Sequence, residues 1–414
     1  MNKQQEPRLR FKGFTGAWEE KTLNDVSEVF EYGLNAQAVN FDGVHKYIRI
    51  TDIDDESRQF LQENVTSPDV DFSKADNYKL QKGDLLFART GASVGKSYLY
   101  NENDGLVYFA GFLIRAKLNK EVDDQFIFQN TLTNHFNRFV TLTSQRSGQP
   151  GINSKEYSEF EFLAPSLPEQ THLGLFFSRL DSQIAESRAV LEKSRQLKKT
   201  MLAKMFPANG EKIPEIRFKG FEGEWECRKL GEIAFKVKEK NIAYQYAETF
   251  TNSAEFGIIS QQDFFDKSIS NSENIGGYYV VQSDDFVYNP RISSFAPVGP
   301  IKRNKLGRTG VMSPLYYVFR LNDEIKPSYL EQYFEGNQWH HFMYLNGDTG
   351  ARSDRFSIKN DVFAEMPISF PANKNEQTQI GNFFRQLDET IALQSAEVEK
   401  LNQLKKGLLA VMLV

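Results

Sequence analysis

The feature that most constrains this 414-residue chain is a repeat of its own sequence at a distance of 207 residues. Near mid-chain, Glu169-Gln170-Thr171, Phe176-Phe177 and Leu197-Lys198-Lys199 occur in that order. They return as Glu376-Gln377-Thr378, Phe383-Phe384 and Leu404-Lys405-Lys406, and 376 − 169 and 404 − 197 both equal 207. A shorter motif obeys the same offset: Arg10-Phe11-Lys12-Gly13-Phe14 with Gly16 and Trp18 returns as Arg217-Phe218-Lys219-Gly220-Phe221 with Gly223 and Trp225. The chain is therefore a tandem duplication of one frame.

The two bodies enclosed by this frame share an order of elements but little sequence. The first alternates β-like runs over 45–50, 85–88, 107–110 and 113–115 with turns, and then continues into a predicted helix over 124–143. The second has β-like runs over 278–281, 285–288 and 316–319 before a predicted helix over 327–344. A shared frame with two divergent bodies of mixed α/β class suggests two sites of one kind that recognise different things.

The repeated long segments have the apolar spacing of helices that pair lengthwise. Positions 173, 180, 187, 194 and 201 form one heptad row, and 177, 184, 191, 198 and 205 form the other. The central helix should be about 55–60 Å long and should pair antiparallel with its twin. Ser187, Ser194, Gln394, Lys198 and Lys405 interrupt the seam. Its apolar members are the candidate partner-binding residues: Phe177, Leu180, Ile184, Leu191, Phe384, Leu387, Ile391 and Val398.

Composition excludes several classes of protein. No apolar run is long enough to cross a bilayer and the N-terminus lacks the apolar core of a signal peptide, so we expect a cytoplasmic protein without membrane contact. The single Cys227 and five histidines give no disulfide and no metal-ligand spacing. A net charge of −5 argues against an indiscriminate polyanion binder.

No catalytic site emerges from the sequence. The segment from Arg89 to Ser97 resembles a phosphate loop but is one residue short between its glycines, and no helix follows it. Asn289-Pro290 is typical of a turn, and the adjacent His340 and His341 cannot point to one side of a helix. Cofactor fingerprints and a Ser/His/Asp set are also missing, so we predict no catalytic residue, no cofactor and no metal.

Acidic residues are missing from two long stretches. Residues 125–155 and 286–322 contain no Asp or Glu, although both contain Arg and Lys. The loops over 144–149 and 348–353 combine glycine with Arg or Gln, and these two side chains make bidentate contacts with guanine and adenine edges. A single such residue is most often a solvated loop residue, but the matched set in both halves favours DNA binding.

At full length the chain resembles the specificity subunit of a Type I restriction-modification system. The resemblance rests on the Arg-Phe-x-Gly-Phe-x-Gly-x-Trp motifs, the segment from Gly83 to Gly91, and the two helices that begin with Glu-Gln and end in Leu-Lys-Lys. It implies two target-recognition domains that read the halves of an asymmetric bipartite DNA site, separated by two helices that act as a ruler. It also implies docking of two methyltransferase subunits, with a motor-nuclease subunit joining them, and no catalysis by this chain itself.

The resemblance divides the chain into a first recognition domain with its N-terminal clip (1–166), a central spacer helix (167–206), a second recognition domain with the repeated clip (207–371) and a C-terminal spacer helix (372–414). We expect each clip to pack its aromatic residues on a neighbouring element. The family does not fix base contacts by motif, so the candidates come from the loops. They are Arg89, Thr90, Ser93, Lys96, Gln145, Arg146, Gln149, Asn289, Arg291, Ser294, Lys302, Arg303, Arg308, Arg352 and Arg355.

Two other functions stay open at this stage. The chain could be a scaffold whose helices join partner proteins without reading DNA, and steep salt dependence of DNA binding would distinguish the two. It could also be a restriction-modification enzyme that acts alone. The missing cofactor motifs count against this second alternative.

Overall fold

The computed structural model describes residues 6–146, 148–208, 210–264, 275–349 and 354–413. The chain forms two compact units, Met1–Val190 with Gln394–Val414 and Leu191–Leu393. Because both boundaries fall inside the long helices, each unit combines one body with a segment of each helix. No described helix is both long enough and apolar enough to span a membrane.

The described part of the first body contains the strands β1 (Glu19–Thr22), β2 (Ser27–Tyr32), β3 (Ala38–Asn40), β4 (Lys46–Ile48), β5 (Thr66–Pro68), β6 (Asp84–Ala88), β7 (Ser97–Leu99), β8 (Val107–Phe109), β9 (Leu113–Leu118) and β10 (Glu161–Ala164). Its helices are α1 (Asp124–Asn130), α2 (Asn134–Thr143) and α3 (Ser154–Ser158), and the long helix α4 (Leu167–Lys204) follows.

The second body has a similar order, with two added short helices, and its strands are β11 (Glu226–Lys229), β12 (Ala234–Lys236), β13 (Phe250–Ser253), β14 (Gly257–Ser260), β15 (Tyr279–Val281), β16 (Phe286–Tyr288), β17 (Ile301–Arg303), β18 (Gly310–Met312), β19 (Tyr317–Leu321) and β20 (Pro367–Phe370). Its helices are α5 (Leu230–Ile233), α6 (Gln261–Phe264), α7 (Pro327–Glu335), α8 (His340–Asn346) and α9 (Asn360–Ala364), before the long helix α10 (Lys374–Met412).

Both bodies contain a four-stranded antiparallel sheet of the same connectivity, in the orders β2-β9-β6-β7 and β12-β19-β16-β17. The central strands β6 and β16 follow the same turn. In it, the Gln81 and Gln282 amides donate to the side chains of Asp84 and Asp285 at 2.9 and 2.7 Å. These aspartates are buried and pair with Arg115 and Arg320 of the neighbouring strand. The two bodies are therefore one fold, although their sequences diverge.

The single helix predicted over 124–143 is wrong, because the structure has two helices there. The Thr131 hydroxyl donates to the Phe128 carbonyl oxygen at the end of α1, and the Thr133 side chain accepts from the Phe136 amide to cap α2. The prediction over 327–344 fails in the same way. There α7 ends at Glu335, because the following Gly336 has an extended backbone, and α8 begins only after Trp339.

Each clip packs its aromatic side chains on the start of a long helix, as predicted. The Phe11 ring meets Phe176 edge-on at 5.5 Å, and Phe218 meets Phe383 at 6.0 Å. Trp18 is buried against Phe126. The clips therefore fasten the helix starts to the bodies.

The two long helices run antiparallel, as predicted. In the first unit Asp181 and Arg188 of α4 contact Lys405 and Asn402 of α10, so the numbering rises in one helix as it falls in the other. In the second unit Lys198 contacts Asp388, and Phe206, just after α4, stacks on Phe384.

Candidate nucleic-acid interface

Each body joins the loop after its central strand to the loop before its short helix. In the first unit, Thr90 bridges Gly151, and the Ile152 amide donates to the Arg89 carbonyl oxygen at 2.9 Å. In the second unit, Arg291 bridges Arg355, and the Phe356 amide donates to the Pro290 carbonyl oxygen at 2.7 Å. The fold thus brings together residues that the sequence separates by about 60 positions, and it does so at the same place in both bodies.

In the first unit Arg89 lines a cleft of about 570 Å³, together with Tyr32 and Phe112. The Arg89 guanidinium lies over the Tyr32 ring at 5.0 Å. The backbone amide of Arg89 donates to the Phe112 carbonyl oxygen at 3.1 Å. The Tyr32 hydroxyl accepts from the Ser154 side chain, and hydrogen bonding by Ser154 lowers the pKa of Tyr32. Arg89 is therefore held by an aromatic face and a carbonyl group, and its charge is not neutralised by a carboxylate among the described contacts.

The corresponding cleft of the second unit, of about 370 Å³, contains Arg291 and Arg355. Both side chains are exposed, and within the described ranges no carboxylate forms an ion pair with either. Asn289 has a different role. Its side chain accepts from the Arg291 amide at 3.0 Å and donates to the Asn252 carbonyl oxygen at 2.8 Å, so it holds the turn. Ser294 lies exposed on the hairpin between the bridged Ser293 and Ala296.

Two basic candidates of the first unit are engaged in contacts with the body. Lys96 is buried, donates to the Ile53 carbonyl oxygen at 2.9 Å and pairs with Asp55 at 2.6 Å. Arg146 donates to the carbonyl oxygens of Thr143 and Gln145 at the end of α2 and pairs with Glu156. These contacts fix both cations to the body.

Apart from Arg291, the cations of the acid-free stretch 286–322 form ion pairs, whereas the sequence inference treated the whole stretch as cationic. Lys302 pairs with Glu335, Arg303 with Asp284 and Glu331, and Arg308 with Glu248. These acids lie outside the stretch and are brought to it by the fold.

The polar candidates of the first unit differ in exposure. The loop of Thr90 and Ser93 is half-buried, whereas Gln145 and Gln149 are exposed. Gln149 lies against Gly91, where an added Cβ would come within 2.8 Å of its amide nitrogen. Gly91 also has a φ of +72°, so a side chain there would be strained as well as crowded. Arg352 lies outside the described residues.

The candidate partner-binding residues are packed within the units. Phe177, Leu180, Ile184, Leu191 and Phe384 are buried, and Leu387, Ile391 and Val398 are half-buried. The heptad seam is thus covered largely by the chain itself.

The lysines that interrupt the seam form ion pairs related by the duplication. Lys405 pairs with Asp181 at 2.5 Å, and Lys198 pairs with Asp388 at 2.6 Å. Asp181 also accepts from Gln129 of α1 at 2.8 Å. Burial lowers the pKa of Lys405, an effect that Asp181 opposes. Charged groups at these places specify a register, because a shifted helix would leave them buried without a partner.

The sequence reasoning missed one pair of exposed leucines at duplicated positions of the long helices. Leu197 and Leu404 are 44% and 49% exposed and occupy the same place in the two Leu-Lys-Lys motifs. The sequence could have indicated these leucines, because both positions fall outside the heptad rows that pair the helices.

Comparison with known proteins identifies the family. The sequence profile of the Type I restriction modification DNA specificity domain matches residues 16–193 and again residues 222–403. A specificity subunit inferred for the type I restriction enzyme MjaX of Methanocaldococcus jannaschii is 23% identical over 428 aligned positions, which cover 96% of this chain and 92% of the relative. The MjaVIII specificity subunit of the same organism is 20% identical over 86% of this chain and 84% of the relative.

A solved structure shows the same fold. The S subunit of a Type I restriction-modification system from M. genitalium aligns with a TM-score of 0.60 at 12% identity, over 99% of both chains. Since the family profile covers most of the sequence in two tandem matches, this chain belongs to the Type I restriction-modification DNA specificity family and carries two copies of its domain.

Proposed function

We propose that this chain is the DNA-recognition subunit of a Type I restriction-modification complex. Each recognition domain, 1–166 and 207–371, reads one half of an asymmetric bipartite target in double-stranded DNA. The spacer helices 167–206 and 372–414 set the distance between the halves and dock two methyltransferase subunits, which a motor-nuclease subunit joins for restriction. Methyl transfer and cleavage belong to those partners.

The observation that carries the proposal is the bridged loop pair at the same place in both bodies. It presents Arg89 with the exposed Gln149 in the first unit, and Arg291 with Arg355 in the second. An arginine without a carboxylate partner is available for bidentate contact with guanine, and a glutamine for contact with adenine. Because the side chains differ between the bodies while the bridge is retained, the two units would read different sequences.

The paired cations have a separate role in this account. Lys96, Lys302, Arg303 and Arg308 stabilise the bodies through ion pairs, so we assign base or phosphate contact first to Arg89, Arg291 and Arg355. DNA contact by Thr90, Ser93, Gln145, Arg146, Gln149 and Ser294 is proposed from their place in the loops, and contact by Arg352 is proposed from the sequence alone. Asn289 would support the turn beneath Arg291.

Docking is proposed for the faces of the long helices that the chain leaves uncovered. The buried rows serve to pair the helices, whereas Leu197 and Leu404 expose apolar area at duplicated positions. A site that occurs twice through duplication fits two copies of one partner.

The test is binding of the full chain, assembled with its methyltransferase subunit, to duplexes in which each target base pair is changed in turn. Replacing Arg355 by alanine should weaken binding by about 1–3 kcal/mol through one position of one half-site and should relax discrimination there. The matched control is Arg308→Ala in the same unit, where the lost side chain is bound to Glu248 and discrimination should be unchanged.

Two results would contradict the proposal. One is equal weakening of every sequence by Arg355→Ala and Arg291→Ala, which would remove base reading. The other is DNA binding by the assembled wild-type complex that shows neither sequence preference nor steep salt dependence, which would favour the scaffold function.

A further inference from the structure

An exposed apolar side chain occupies the same position of the fold in both clefts. In the first unit Phe87 of β6 pairs with Ile114 of β9, and Phe112 lies two residues before Ile114. In the second unit Tyr288 of β16 pairs with Tyr317 of β19, and Leu315 lies two residues before Tyr317. Phe87 and Tyr288 are equivalent, because each is the fourth residue counted from its buried aspartate, Asp84 or Asp285.

These side chains are exposed although β9, which follows Phe112, is almost entirely buried and β19, which follows Leu315, is buried at Val318 and Phe319. Phe112 is 59% exposed and Leu315 is 62% exposed, and each lines the cleft of its unit. A single exposed apolar residue needs no explanation. Exposure at one register position in two bodies of unlike sequence is a different observation, because the two positions are related by the fold and not by a shared residue type.

In both clefts the apolar side chain stands beside an arginine. Arg89 is tied to the Phe112 loop through its amide, which donates to the Phe112 carbonyl oxygen at 3.1 Å, and its guanidinium approaches the Gly111 carbonyl oxygen at 3.5 Å. Leu315 shares its cleft with Arg291 and Arg355. The fold therefore presents a cation and an apolar group together.

The major groove of DNA offers one apolar feature among its hydrogen-bonding groups, the 5-methyl group of thymine. With the arginine on a guanine edge, an apolar side chain in the same cleft would be within reach of an adjacent base pair. We infer that Phe112 and Leu315 are specificity-determining residues that each contact a thymine methyl group, one in each half-site. This inference rests on the proposed function, since it requires the clefts to face the major groove.

The experiment replaces each thymine of the target by deoxyuridine, one at a time, and measures binding of the full chain assembled with its methyltransferase subunit. With wild-type protein, one thymine in the first half-site should show a loss of about fourfold, which corresponds to the burial of one methyl-sized group. In Phe112→Ser that position should become insensitive to deoxyuridine, whereas Phe112→Leu should keep part of the sensitivity. Leu315→Ser should have the same effect in the second half-site only.

Each variant contains its own control, because the unaltered unit must still read its half-site with wild-type discrimination. Sensitivity that persists at every thymine in Phe112→Ser would overturn the inference. Uniform weakening on every sequence would also overturn it, since that result indicates a wedge between base pairs. Wild-type protein without preference for any sequence would instead remove the proposed function itself.

Discussion

The clip of each half should be a major source of stability through one buried ion pair. The Arg10 guanidinium donates two hydrogen bonds of 2.7 Å to the Glu169 carboxylate at the start of α4. In the second half Arg217 donates to Glu376 at 2.7 and 2.8 Å. The Glu169 and Glu376 side chains are only 2% and 1% exposed, so removal of the arginine leaves a carboxylate with little access to water.

Breaking a buried ion pair by removing one partner typically costs about 3–5 kcal/mol. Arg10 is 16% exposed, so water can enter after truncation and we expect Arg10→Ala to cost the lower figure, about 3 kcal/mol. For a unit of this size, each kcal/mol corresponds to roughly 2–4 °C in melting temperature, which gives a decrease of roughly 6–12 °C. The double variant Arg10→Ala with Glu169→Gln should recover part of the loss, because it also removes the unpaired charge.

Calorimetry of the full chain measures the loss of stability, and hydrogen exchange shows which segment of the chain is destabilised. Arg10→Ala should accelerate exchange in the first clip and not in the second, and Arg217→Ala should do the reverse. Decreases below about 2 °C for both variants, with unchanged exchange, would refute the burial argument.

Three further predictions concern the paired cations and the helices. Hydrogen bonds from Arg308 lower the pKa of Glu248 below its ordinary 4.5, so their contribution is present above that value and is lost as the pH falls through the lower folded value. Arg308→Ala should therefore cost at most about 1 kcal/mol at pH 7, and urea unfolding should show the difference vanishing in acid. Leu197→Glu with Leu404→Glu should abolish co-elution with the methyltransferase subunit, whereas Leu61→Glu, a charge at another exposed leucine, should not. One heptad inserted at matched points of α4 and α10 adds about 10.5 Å, so methylation mapping should show a spacer longer by about three base pairs and unchanged half-sites.

The frame of the protein could be predicted from sequence because its signals are local. Heptad spacing within α4 and α10 determines which faces pair, and the duplication supplied a second copy of each signal. The helix breaks were missed because single hydrogen bonds of Thr131 and Thr133 decide them, and apolar periodicity does not report such bonds.

The candidate site could be predicted only in part, because ion pairing is not local in sequence. Lys302 and Glu335 are 33 residues apart, and Arg308 and Glu248 are 60 apart, so an acid-free stretch does not reveal its charge balance. The sequence indicates Arg291 and Arg355 only as separate candidate loop residues, because the backbone bridge between them depends on tertiary structure. Phe112 and Leu315 were missed because their equivalence rests on strand register, and the two bodies cannot be aligned there.

The central claim is that two units of one chain read two halves of one target. The direct measurement is genome-wide mapping of methylated adenines in cells that co-express this chain with its methyltransferase subunit, for the wild type and for Arg355→Ala. The account predicts a bipartite motif with an unread spacer, of which only one half relaxes in the variant. A continuous motif, or relaxation of both halves together, would contradict it.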